Sequence, residues 1–222
     1  MKLSRILVLG LVAGGLCAVA LADDSYPPPW RNQPGSTKQK WEFGTSTQAN
    51  IPSDPNFLHN PYGTETLPAP RATVMGTLFP EGDLVYYALD NGHQGVWDIG
   101  APDKIRFDVP NTPNQDPDSY KLIWVQITYS AAGGEDPTVL GYVNGVQGQS
   151  AIVQPQTAVD AHYWHETYLL TITPNPTSEQ IYIRPKLCQL YVDEVVIDTR
   201  CIPEPATFGL AALGALLCLR RR

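Results

Sequence analysis

The body of this chain has no helical periodicity, no internal repeat, little basic charge and few cysteines. Each shortage excludes something. Without apolar residues at helical spacing, no amphipathic helix is predicted between the two ends, which argues against bundles and α/β folds. Without a repeat, a solenoid is excluded. Fifteen Lys and Arg stand against twenty-two Asp and Glu, a formal net charge of −7. Nucleic-acid binding needs a basic patch, and the sequence offers none. There is no G-x-S-x-G turn to hold a nucleophilic serine and no D-x-[DN]-x-[DN]-G calcium loop.

Hydrophobic runs are confined to the ends. Met1-Lys2-Leu3-Ser4-Arg5 is a basic start, Ile6–Leu21 is apolar, and Ala20-Leu21-Ala22 is an A-x-A-type site before Asp23. That order is a secretory signal helix over residues 1–22, with Ala22 the last residue removed by signal peptidase. Cys17 is no lipid attachment site, because Leu16 stands where a small residue is wanted. At the other end, residues 202–222 run from Ile202 through Pro203-Glu204-Pro205 and an uncharged stretch Ala206–Leu219 to Arg220-Arg221-Arg222. The prolines lack amide donors and disfavour helix upstream, so the triplet is predicted extended and accessible. Fourteen uncharged residues at about 1.5 Å each span roughly 21 Å, short of a roughly 30 Å hydrocarbon core. This is a short, marginal transmembrane helix whose arginines stay cytoplasmic.

The ordered set of Pro203, Glu204 and Pro205, the apolar run and Arg220, Arg221 and Arg222 resembles the PEP-CTERM sorting signal of Gram-negative and related bacteria. The resemblance covers about a tenth of the chain. It implies that an exosortase-like membrane transpeptidase recognises the triplet and removes the helix and basic tail. It further implies a protein held briefly at the inner membrane, then passed to the cell surface or the exterior, in bacteria that make exopolysaccharide.

From Asp23 to Pro205, ten basic side chains face all twenty-two acidic ones, a net charge near −12. Such acidity suits solubility and cation binding. Only Cys188 and Cys201 remain, and an oxidising compartment predicts a disulfide between them, the alternative being a metal or redox pair.

Residues 23–70 form a Pro-rich arm. Trp30, Trp41, Phe43 and Phe57 favour a strap packed along the domain over a disordered lead-in. Lys38–Phe43 is a predicted strand with Gln39, Trp41 and Phe43 on one face. Residues 71–201 then read with period two. Ile105, Phe107 and Val109 alternate with Lys104, Arg106 and Asp108. Further strands are predicted at Leu84–Leu89, Lys121–Ser130, Thr138–Val143, Tyr163–Thr173, Gln180–Arg184 and Leu190–Asp198, with turns such as Asp90-Asn91-Gly92 between them. About nine strands predict an all-β fold, an antiparallel two-sheet β-sandwich, jelly-roll-like, with an immunoglobulin-like sandwich as runner-up. The run Tyr191–Thr199 loosely resembles the last strand of bacterial jelly-roll modules.

No catalytic constellation is predicted. His162-Tyr163-Trp164-His165-Glu166 has the wrong order and element for a zinc protease, since on a strand His162 and His165 point to opposite faces. His59 and His93 have no identifiable partner. Asp193 and Glu194 are strand neighbours expected to face opposite ways, so they make no glycosidase pair. No metal ligand set is expected. Asp90-Asn91, Asn114–Asp118 and Glu135-Asp136 would at most hold a structural calcium, and otherwise are solvated turns. Trp124 is the best ligand-binding candidate. It lies opposite the apolar face of its strand beside Gln126 and Thr128, open to a sugar ring unless the strap or second sheet covers it. The expectation is a non-enzymatic envelope or matrix protein, with a lectin-like exopolysaccharide-binding module as the alternative.

Overall fold

A computed structural model describes residues 24–53, 58–62, 69–78, 84–111, 119–131, 137–143, 146–187 and 189–203. The predicted signal segment, residues 1–22, and Glu204–Arg222 lie outside these residues, and with them both predicted terminal helices. Among the described residues every regular element is a strand.

The strands are β1 (Ser36–Trp41), β2 (Ala49–Asn50), β3 (Arg71–Met75), β4 (Val85–Asp90), β5 (His93–Gly100), β6 (Lys104–Pro110) and β7 (Ser119–Ala131). They continue as β8 (Thr138–Val143), β9 (Val146–Gln147), β10 (Gln149–Ala158), β11 (Trp164–Ile172), β12 (Ser178–Arg184) and β13 (Gln189–Pro203). They form two antiparallel sheets. The larger has the order β10-β11-β7-β13-β5-β4, with β1 also on β13. The smaller has the order β2-β3-β6-β12-β8-β9.

Both sheets contribute to one apolar core. Period two decides which side chains enter it. From the larger sheet come Ile123, Val125, Ile127 and Tyr129 of β7, Tyr168, Leu170 and Ile172 of β11, and Val195 and Ile197 of β13. From the smaller come Ala72, Val74, Ile105, Phe107, Val109, Ile181 and Ile183. Trp41 of β1 meets Phe107 edge-on at 4.9 Å between centroids, a favoured aromatic geometry.

β13 organises the larger sheet. One side pairs with β7 from Leu190 to Pro203. The other side is shared: Gln189–Val192 pair with β5, and Val195–Arg200 pair with β1. The changeover coincides with a bulge between Val192 and Glu194. Here the chain leaving β1 crosses the start of β5. Gly95 makes this crossing possible, since a Cβ there would sit 2.4 Å from the Phe43 carbonyl oxygen and its φ is +78°. Asn91 and Gly92, both at positive φ, close the two-residue β4–β5 hairpin at the predicted turn.

The arm belongs to the folded unit rather than preceding it. It supplies β1 to one sheet and β2 to the other, and it buries Trp30, Trp41 and Phe43. Phe57 lies outside the described residues.

Candidate functional site

Two surfaces were available for chemistry, the outer faces of the two sheets. They differ in cover. On the larger sheet Trp124, Gln126 and Thr128 point away from the core, as their spacing requires. The strap lies across them. The Trp124 indole N–H donates to the Tyr26 carbonyl at 2.8 Å. Gln126 accepts from the Tyr26 amide at 2.8 Å and donates to Asp24 at 2.7 Å. Arg31 Nε donates to Asp198 Oδ1 at 2.6 Å, and the same guanidinium reaches Asp198 Oδ2 and Asp24. Trp124 is therefore no open stacking platform. The expectation of a ligand site there is corrected: its polar handle holds the chain's own arm.

Below the strap lies a layer of buried polar groups. Asp198 is fully buried, and burial pushes its carboxyl up to about 6 even though Arg31 pulls it down. Burial opposes the charge on Arg31, yet the bonds to Asp198 and Asp24 outweigh it and hold the guanidinium above its ordinary value. Glu194 lies further along β13. Burial pushes it up to about 8, with Lys40 opposing and Glu42 and Asp193 adding to the rise. Lys40 Nζ is 3.6 Å from Glu194 but in direct contact with Glu42. Burial lowers Lys40, but the hydrogen bond to Glu42 and the charge of Glu194 outweigh it and hold Lys40 above its ordinary value.

His93 has the partners its sequence context did not reveal. Nδ1 is 2.7 Å from Asp193 and Nε2 is 3.0 Å from Asp160. The Tyr163 ring stacks on the imidazole at 3.8 Å between centroids, and its hydroxyl donates to Asp90 at 2.8 Å. The β13 bulge makes this network. Val192 and Val195 both enter the core, so both residues between them, Asp193 and Glu194, lie away from it. The expectation that these two carboxylates face opposite ways is corrected for that reason. Burial lowers His93, but the two carboxylate bonds outweigh it and raise its pKa. With a carboxylate on each ring nitrogen the imidazole has no free lone pair for base or metal chemistry. It pins β5, the β13 bulge and the turn before β11 together.

The other sequence candidates are dispersed. His162 is exposed, its amide donating to Asp160, while His165 is buried on β11 with Nδ1 3.2 Å from Thr128 Oγ1. Glu166 faces the core side and accepts from the Tyr168 and Tyr129 hydroxyls at 2.5 and 3.3 Å. Of the calcium candidates, Asp90 is engaged by Tyr163 and Asn91. Residues 114–118 and 135–136 lie outside the described residues, as do Ala22, Glu204, Pro205 and Arg220–Arg222. Among the described residues no group of three or more His, Cys, Asp or Glu is arranged to hold a metal.

The expected Cys188–Cys201 disulfide is corrected. Cys188 lies outside the described residues, and Cys201 carries a free thiol. Gln189 and Cys201 stand near opposite ends of β13. Twelve steps at about 3.3 Å separate them by roughly 40 Å. A disulfide tolerates about 7 Å between Cα atoms. One continuous strand, not a returning loop, joins the two positions.

On the outer face of the smaller sheet the described side chains of β3, β6 and β12 are half-buried to exposed. The ladder sets Thr73, Arg106 and Tyr182 in one row across β3, β6 and β12, and Arg71, Asp108 and Gln180 in the next. Arg106 Nε donates to Asp108 at 2.9 Å, Gln180 donates to Asp108 at 3.1 Å, and the Tyr182 hydroxyl donates to Gln180 at 3.0 Å. Lys104 Nζ stands 5.1 Å from the Tyr182 ring centroid. Beside these rows runs a groove of about 520 Å³ lined by Arg71, Thr73, Arg106, Asp108 and Ser178 and by the apolar Ala49, Ala69, Val109 and Pro110. Guanidinium, carboxylate, amide and phenol groups converging on a pleated surface can read hydroxyls and carboxylates of a sugar chain.

No family model, no curated protein and no solved structure matches this chain.

Proposed function

We propose that this is an exported, non-enzymatic envelope or matrix protein, a jelly-roll β-sandwich sorted through its PEP-CTERM-like tail. The observation that carries the reading is the ordered tail itself: Pro203-Glu204-Pro205, an uncharged run too short for a stable span, and an arginine cluster. The course of β13 fits it. The strand pairs through Pro203 with Ser119, so the triplet starts where the sheet ends. A transpeptidase would then meet the triplet directly beside a rigid body. Repeated crossings between the sheets, at β1–β2, β3–β4, β5–β6, β6–β7, β7–β8, β9–β10, β11–β12 and β12–β13, support the jelly-roll reading.

Replacing Pro203, Glu204 and Pro205 together by alanine in the native host tests sorting. The variant should accumulate in the inner-membrane fraction with its tail attached, while the wild type leaves that fraction. Equal partition of the two would remove the sorting reading.

A second reading, an exopolysaccharide-binding module, is favoured by the groove on the smaller sheet rather than by Trp124. Two arginines suit a uronate-bearing polymer, because guanidinium binds carboxylate bidentately. Wild-type protein should bind the host's acidic exopolysaccharide saturably, and an Arg71→Ala/Arg106→Ala variant should bind at least tenfold more weakly. Equal affinity of the two, or no binding by either, would remove it.

A further inference from the structure

At the pole where β13 runs out toward the tail, a primary amine, a carboxamide and a carboxylic acid are buried against one another. Lys121 of β7, Glu179 of β12 and Asn111 after β6 are all completely buried. Lys121 Nζ lies 2.9 Å from Asn111 Oδ1 and 3.1 Å from Glu179 Oε1. The Asn111 carbonyl carbon is one C=O bond of about 1.2 Å from that oxygen, so it lies roughly 3.2 to 4.1 Å from the amine according to the angle at oxygen, within reach of an attack after a small shift. We propose that Lys121 and Asn111 condense into an intramolecular isopeptide bond, with Glu179 as the proton carrier.

Each neighbour has a place in this chemistry. The leaving nitrogen, Asn111 Nδ2, is oriented by Asn175 Oδ1 at 2.7 Å and the Pro176 carbonyl at 2.6 Å. The Cys201 thiol donates to Asn111 Oδ1 at 3.4 Å, where negative charge develops when the carbonyl is attacked. Cys201 is itself fixed by Asn175 Nδ2 at 3.2 Å.

The reaction balances without a cofactor or oxidant. One proton moves from the Lys121 ammonium to the Glu179 carboxylate, leaving a neutral amine beside a neutral acid. Burial holds the Glu179 carboxyl above its ordinary value although Lys121 opposes the rise, which suits a group that must carry the proton. Nζ attacks Cγ, the N–C bond forms, and the carbonyl electron pair moves to Oδ1. Glu179 gives its proton to Nδ2 and takes the surplus proton from Nζ. The carbonyl re-forms, the Cγ–Nδ2 bond breaks, and ammonia leaves. The product is a secondary amide joining the ends of β6 and β7, and so the two sheets. A buried charge has been replaced by a neutral group. The bond would form whatever the tail or the groove does.

The test is peptide mass spectrometry on the full chain, denatured after storage at neutral pH. The expected result is loss of about 17 Da, one ammonia, in a fragment holding both residues. Trypsin should fail to cut after Lys121, and fragment ions should join Lys121 to Asn111. Lys121→Arg keeps the charge but has no primary amine, and Glu179→Gln removes the proton carrier. Both should restore the full mass, and far-ultraviolet circular dichroism reports whether each still folds. Wild-type protein with full mass and normal cleavage after Lys121 would overturn the proposal, whether or not the variants fold. So would loss of ammonia with Lys121 still cleavable, which marks a succinimide at Asn111, or a gain of about 1 Da, which marks its hydrolysis.

Discussion

Glu194 and His93 carry the pH dependence of the fold at the level of single residues. Glu194 has a folded pKa of about 8, above its ordinary 4.5, because burial disfavours its anion. Between those values the folded chain binds a proton that the unfolded chain has released. The stability it contributes is therefore full below the ordinary carboxylate range and is lost as pH rises through about 8. His93 is also raised, so its contribution is likewise lost as pH rises through its folded value. Asp193 and Asp198 are raised too and add the same sign, that of Asp198 being lost as pH rises through about 6. The melting temperature should fall from about pH 5 to about pH 9. Each pH unit over which the folded chain holds one extra proton is worth about 1.4 kcal/mol. Glu194→Gln, which stays neutral, should melt less steeply with pH and above wild type at about pH 9. Parallel melting curves for the two proteins across that range would show that Glu194 is not protonated in the fold. None of this was legible in the sequence. Asp193-Glu194 reads as an alternating strand pair until a bulge, which carries no signature of its own, puts both on one side of β13. The carboxylates that meet His93 lie 100 and 67 positions further along the chain, beyond the reach of any local pattern.

At the level of elements, the strap decides how the larger sheet meets solvent. Arg31 donates to both Asp198 oxygens. Removing it takes the guanidinium away from a fully buried carboxylate and leaves only the charge of Lys38 to offset it. Arg31→Met should cost about 3–5 kcal/mol by thermal or denaturant unfolding. Adding Asp198→Asn should return much of that loss, because the amide carries no charge. A double variant as unstable as Arg31→Met alone would mean that Arg31 acts by packing rather than by charge. The strap was legible from its aromatics, and most strands from their alternation. β1 buries Gln39 and Trp41, and β6 puts Ile105, Phe107 and Val109 in the core, as their alternation predicted. β5 was not predicted, since it is buried almost continuously from His93 to Gly100 and shows no alternation. β10 was not predicted for the opposite reason. It is an edge strand, largely exposed, with Pro155 and two register shifts against β11.

For the whole molecule, the all-β class and the two antiparallel sheets follow from short alternating segments and turn residues, which is why they were readable without any relative to compare. Sites were harder to read. Trp124 was visible as an indole on a polar face, but its cover comes from a segment almost a hundred residues earlier. The Arg71–Arg106 groove needs three strands side by side, and no local pattern announces that register. The two cysteines misled because spacing along the chain says nothing of an uninterrupted strand between them. The central claim, an exported body released from a sorting tail, is tested most directly by the terminal peptides of the protein isolated from its native host. Mass spectrometry should find an N-terminal peptide starting at Asp23 and a C-terminal peptide stopping near Pro205. A mature protein that retains Ala206–Arg222 would contradict that claim and make the tail a lasting anchor.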